Sequence, residues 1–198
     1  YCLWLVGASP SDLKKMPSVI DKIEKVKQFR LASTKKATRD SAMTPSLFQE
    51  IRHPSTDYII VPRHSSETRR YIPLGFVSAE VIVNDAVLII PNATLYHLGI
   101  LTSNVHNAWM RAVCGRLKSD YRYSKDIVYN NFPWPEATEE QKAYIEQLAQ
   151  GILDARALFP DSSLADLYDP LTMPPELLKA HRSLDRAVMK LYGFTAQN

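Results

Sequence analysis

"GRLKSDYRYSKDIVYNNFPWP", residues 115–135, contains two kinds of pattern, and where one gives way to the other decides the fold. From Leu117 to Ser124 the side chains alternate in character, the period of a half-buried strand. A strand over residues 117–124 sets Leu117, Ser119, Tyr121 and Tyr123 on one face. Lys118, Asp120, Arg122 and Ser124 then share the other. The end, Phe132-Pro133-Trp134-Pro135, holds prolines that neither continue a helix nor donate to a ladder, so it reads as an extended aromatic connector. Before the connector, helix and strand periods are mixed; after it, only helix periods appear. The predicted class is α+β: a mixed helix and antiparallel-sheet domain over residues 1–135, then a small helical domain over residues 136–198.

Upstream of the quoted stretch, Ser9-Pro10 with Asp12 predicts a helix start, interrupted by Pro17. A second helix is predicted over residues 35–51, broken near Pro45. Period-two, β-branched runs predict strands over residues 57–62, 71–77 and 86–91, with a polar basic loop over residues 63–70. Residues 92–116 read as mostly one helix, with Leu98, Leu101, Val105, Trp109 and Val113 as its stripe and Gly115 closing it. Downstream, Thr138 and Gln141 form a capping box, and Ile145, Leu148, Ile152, Ala155 and Phe159 make one apolar face. Pro174-Pro175 opens a last helix striped by Leu177, His181, Leu184, Val188 and Leu191, and Gly193 ends it.

The 198 residues carry a net charge of +3, compatible with a nucleic-acid partner but not diagnostic, because an electrostatic footprint requires clustering. Cys2 and Cys114 make no disulfide framework and suit a reducing cytoplasm. No apolar run approaches the roughly 20 residues that cross a bilayer, so no membrane partner is expected. The chain opens on a strand-like apolar run without Met, as expected of a cut inside a larger protein.

No catalytic constellation emerges. Asn131-Phe132-Pro133-Trp134 superficially resembles the Asn-Pro-Pro-aromatic tetrad that accepts a base amine in amino-methyltransferases, but the order is wrong. The 6 glycines form no cofactor loop. Asp57, Glu67, Glu80 and Asp85 do not make a nuclease-type acidic cluster, and His53, His64, His97, His106 and His181 lack metal-ligand spacing. No metal site is expected. The face bearing Lys118, Asp120 and Arg122 is different. Lysine and arginine donate to guanine, and aspartate accepts from the cytosine amine, so this face suits base reading in a major groove. The same residues equally suit an ion-pair ladder on a wet sheet.

Three long segments carry a resemblance: residues 30–76, residues 106–135 around the quoted stretch, and residues 164–193, "LADLYDPLTMPPELLKAHRSLDRAVMKLYG". In this order they resemble the MmeI-like family of single-chain restriction–modification enzymes and their methyltransferase relatives. The resemblance implies a target recognition domain followed by a helical C-terminal domain. It implies a parent acting as an N6-adenine DNA methyltransferase, with S-adenosylmethionine as the parent's cofactor and none in this chain. The implied partners are double-stranded DNA and the upstream methyltransferase domain. On this basis Lys118, Asp120 and Arg122 are expected to read bases, with Ala86 at a further specificity position. Arg63, Arg69, Arg70, Lys35, Lys36 and Arg39 are expected to contact phosphates, and Arg111 and Arg116 are weaker candidates that cap or pair. The rival reading is a helical protein-interaction or assembly module without base contacts.

Overall fold

The computed structural model describes residues 2–195, and the chain divides between His53 and Pro54 into two compact units.

The first unit is helical. Helix α1 (Pro10–Lys14) starts as expected, with the Ser9 hydroxyl accepting from the Asp12 N–H at 3.1 Å. Pro17 does not interrupt a helix but opens α2 (Pro17–Leu31), at the one position where its missing N–H costs nothing. The helix expected over residues 35–51 is shorter. It comprises α3 (Lys36–Asp40) and one 3₁₀ turn (Ser41–Met43), and residues 44–51 form no helix. Two causes act together. Pro45 disfavours helix in the residue before it. The Arg30 guanidinium also takes the carbonyls of Ser41, Thr44 and Leu47 at 2.8, 3.0 and 2.7 Å, which fixes that segment as a loop around one side chain. Among the described residues of this unit, only Ala42 is buried.

The second unit is built on two small antiparallel sheets. One has the order β3 (Gly75–Val77), β1 (Tyr58–Pro62), β4 (Val87–Pro91). The other has the order β2 (His64–Ser65), β6 (Asp120–Arg122), β5 (Gly115–Leu117). Arg63 joins them through its backbone: its N–H donates to Ala86 O at 3.0 Å, and its carbonyl accepts from Tyr123 N–H at 2.8 Å.

Three expectations are corrected here. The strand over residues 71–77 keeps only its last part, because residues 71–74 turn into the core. There the Ile72 N–H donates to Asn107 Oδ1 at 3.0 Å, and Tyr71, Ile72 and Leu74 are buried. The helix over residues 92–116 is two helices, α4 (Leu95–Thr102) and α5 (Asn104–Val113). Ser103 between them is extended, and its hydroxyl accepts from His106 N–H, so it ends one helix and caps the next. The strand over residues 117–124 is a hairpin: β5 and β6 reverse through Lys118-Ser119.

The downstream helices follow expectation. α6 (Glu139–Ala157) opens on the Thr138–Gln141 capping box, and α8 (Pro175–Leu191) starts at Pro175 and ends before Gly193, whose φ is 72°. A short α7 (Leu164–Leu167) lies between them. α6 crosses α4 closely at Gly99, where a Cβ would stand 2.6 Å from Ile145 Cγ2. Tyr71, Ile100 and Phe132 share one core with Ile145, Ile152, Leu177, Leu184 and Val188. A polar network threads that core. The Tyr71 hydroxyl donates to Asp185 Oδ2 at 2.7 Å, and Asp185 Oδ1 accepts from Asn104 N–H at 2.7 Å. Arg156 donates to Leu74 O at 2.8 Å and to the Tyr168 hydroxyl, which in turn donates to His181 Nε2 at 2.7 Å. Among the described residues, no helix is long and apolar enough to cross a membrane.

Candidate nucleic-acid interface

The hairpin β5–β6 and strand β2 form the surface on which the expected base readers converge. The register pairs Leu117 with Asp120, Arg116 with Tyr121, and Gly115 with Arg122; on the other side, Arg122 pairs with His64 and Tyr121 with Ser65. Directly paired residues share a face. One face therefore carries His64, Arg122, Asp120 and Leu117, all exposed, together with the bare backbone of Gly115. The opposite face carries Tyr121 and Ser65, both buried, so the alternation read from the sequence holds within β6. Lys118 is not on that face. It is the first loop residue of the turn, with φ at 56°, as the mirror-image hairpin turns require.

Lys118 and Arg122 form no side-chain hydrogen bond or ion pair among the described residues. Asp120 has one weak contact, accepting from the Glu67 N–H at 3.4 Å. The turn is braced from the hidden side. The Arg116 guanidinium lies 4.1 Å from the Tyr121 ring centroid, donates to Ser119 O at 2.8 Å, and stands 3.9 Å from the Glu67 carboxylate. Arg116 thus pairs and braces, and Arg111 donates to the Arg70 carbonyl.

Ala86 is exposed just before β4 and is bound to this edge by the Arg63 N–H. Arg63 itself is exposed. Arg69 is half-buried and donates to Ala165 O at 3.5 Å, while the Arg70 guanidinium is 5.4 Å from the Tyr71 ring centroid. Lys35, Lys36 and Arg39 belong to the first unit; both lysines are exposed, and Arg39 donates to Ser33 O and Thr34 O at 2.9 and 2.8 Å.

His64 and Glu67 are weighed in the sequence only as metal or nuclease ligands, not as neighbours of this hairpin. The basic segment over residues 63–70 reads as a loop, and a two-residue strand within it leaves no periodicity to detect. The buried histidines are structural. His106 donates from Nδ1 to Leu101 O at 2.8 Å, which leaves Nε2 to accept from the Tyr123 hydroxyl at 3.0 Å. Among the described residues, no group of 3 or more His, Cys, Asp or Glu side chains is placed to hold a metal ion.

Comparison with known proteins gives this surface a family. Residues 1–136 match the family described as "MmeI, target recognition domain", and residues 137–198 match "MmeI, C-terminal domain". DNA methyltransferase A of Bacillus subtilis (strain 168) is 44% identical over 193 residues, which is 97% of this chain and 22% of that protein. The Type IIL restriction-modification enzyme MmeI, whose structure was solved in complex with DNA, superposes with a TM-score of 0.95 at 52% identity, over 100% of this chain and 26% of that one. The chain thus spans about a quarter of the length of either relative. It belongs to the MmeI family, of which it comprises the target recognition domain and the C-terminal domain.

Proposed function

We propose that this chain is the sequence-reading module of an adenine-specific (N6) DNA methyltransferase or restriction–modification enzyme, and that it binds double-stranded DNA in the cytoplasm. In this reading, residues 1–135 recognise the target and residues 136–198 form the helical domain behind it. Methyl transfer from S-adenosylmethionine belongs to an upstream domain of the same protein. The observation that carries the reading is the exposed face of the hairpin. A charged donor, Arg122, stands there without a side-chain partner beside an acceptor, Asp120, held only by one weak contact, although exposed charges in a purely structural sheet tend to pair across strands.

Lys118 in the turn and Asp120 at the start of β6 both belong to the hairpin tip, from which Lys118 donates to a guanine and Asp120 accepts from the amine of the partner cytosine. Arg122 reads a neighbouring step, and Ala86 leaves room at another. Arg63, Arg69, Arg70, Lys35, Lys36 and Arg39 hold phosphates and fix register without reading sequence.

The test is a binding profile of the full-length protein over all four bases at every site position. Asp120→Ala is expected to blur one position by roughly 1–3 kcal/mol of discrimination and to leave the others intact. Lys118→Glu with Asp120→Arg is expected to move that position from G towards C, and each single change should bind worse than the pair. A uniform loss of affinity, with no shift at any position, refutes base reading by this hairpin.

A further inference from the structure

The fold does not account for the glycine that opens β5. Gly115 follows α5 and its extended cap, Cys114, where a glycine commonly closes a helix in the left-handed conformation. Gly115 does not adopt it: the glycines with positive φ among the described residues are Gly7 and Gly193. Close packing does not require glycine either. A Cβ on Gly99 would collide with Ile145 at 2.6 Å, whereas a Cβ on Gly115 meets nothing within 4 Å. Glycine in a strand loses the most chain entropy on folding and offers no side chain to pack. Folding by itself therefore favours almost any other residue here.

What remains is an approach from outside, and the register gives its direction. His64, Arg122 and Gly115 form one row across the sheet, on the face that also carries Asp120. The row runs from an imidazole through a guanidinium to a gap one side chain wide. A bare glycine in a strand is a place where another backbone can come close.

We propose that Gly115 is a clearance position, the point at which the sugar-phosphate backbone of a DNA duplex comes nearest the sheet. The missing side chain lets Arg122 reach the base edges instead of being held off by its own strand partner. The inference rests on the DNA-reading function proposed above and adds a site residue that carries no charge and no hydrogen-bonding side chain.

The experiment uses the full-length protein and a pool of short duplexes of randomised sequence, from which the wild type enriches its preferred duplex. Gly115→Ala and Gly115→Val are measured for melting temperature and for affinity to that duplex. Gly151→Ala serves as the control, since Gly151 lies in α6 and a Cβ there also meets nothing within 4 Å. The expected result is a melting temperature equal to or above wild type for Gly115→Ala, with affinity at least about tenfold weaker, and weaker again for valine. Gly151→Ala should bind within about twofold of wild type. If Gly115→Ala binds as the wild type does, the clearance role is wrong. If its melting temperature falls together with its affinity, the glycine is structural and the role is wrong again. If the wild type enriches no duplex, the DNA reading itself fails and takes this inference with it.

Discussion

His106 and His181 are fully buried and held neutral, and each makes the fold sensitive to acid. Burial pushes His106 down to about 4, against the pull of its bond to Leu101 O. His181 falls to about 3, through burial first and then the nearby Arg156 and Arg70 charges. The unfolded chain titrates histidine near 6.5, so between that value and the folded values the unfolded state binds more protons. Stability from these groups is present above about pH 6.5 and is lost as pH falls, by roughly 1.4 kcal/mol per pH unit for each histidine. Asp185, raised by burial, works in the opposite direction. Urea midpoints measured from pH 7 down to 5 should fall steadily, and His106→Gln should give a shallower fall; a flat profile would contradict the burial argument. At Gly99 the prediction is steric. Gly99→Ala drives a methyl onto Ile145 and should cost about 1–3 kcal/mol in chemical denaturation, the reverse of what alanine does in an open helix.

Among the elements, the hairpin shows what a sequence conveys and what it hides. Its alternation is legible within β6, where Tyr121 is buried between exposed Asp120 and Arg122, but the two-residue loop shifts the phase, so Leu117 stands opposite Asp120 on the exposed face and not with Tyr121. The reversal itself is hidden, because Lys118-Ser119 lacks the Asn-Gly or Asp-Gly pair that announces such a turn. The same holds at Ser103, where an apolar stripe runs on across a break made by one extended residue, and at residues 71–74, whose strand-like pattern records burial and not pairing. Caps, in contrast, are local chemistry, and the Thr138–Gln141 box and the Pro175 start were readable directly. Lys118 keeps a left-handed backbone that costs a non-glycine residue roughly 1–2 kcal/mol. Lys118→Gly should therefore raise the stability of the protein by up to about 1 kcal/mol while reducing base discrimination at one position. Thermal melts and the four-base binding profile check the two halves separately, and a loss of stability would mean that the lysine serves the fold.

For the molecule as a whole, the residues of the candidate site were found in the sequence more readily than their arrangement. Charges at alternate positions can be read along a strand, but Ala86 and the hairpin lie far apart in sequence and are linked through the backbone of Arg63. His64 comes into the row through a strand too short to leave a pattern. The proposed phosphate contacts of Arg69 and Arg70 are tested together. Arg69→Ala with Arg70→Ala should flatten the dependence of log affinity on log salt by roughly one to two units and weaken all sequences alike. The hold of the Ala165 carbonyl on Arg69 favours the lower value. An altered base preference with an unchanged slope would assign the two arginines to reading instead.

The bonds that fix Arg63 between the two sheets come from its amide and its carbonyl, and its side chain takes no part in them. Any residue but proline supplies the same amide and carbonyl. The seam between the sheets is therefore indifferent to which side chain stands at position 63. A change of side chain at position 63 leaves the backbone link between the two sheets in place. Proline at position 63 is the exception: it would remove the bond to Ala86 and detach that edge from the hairpin.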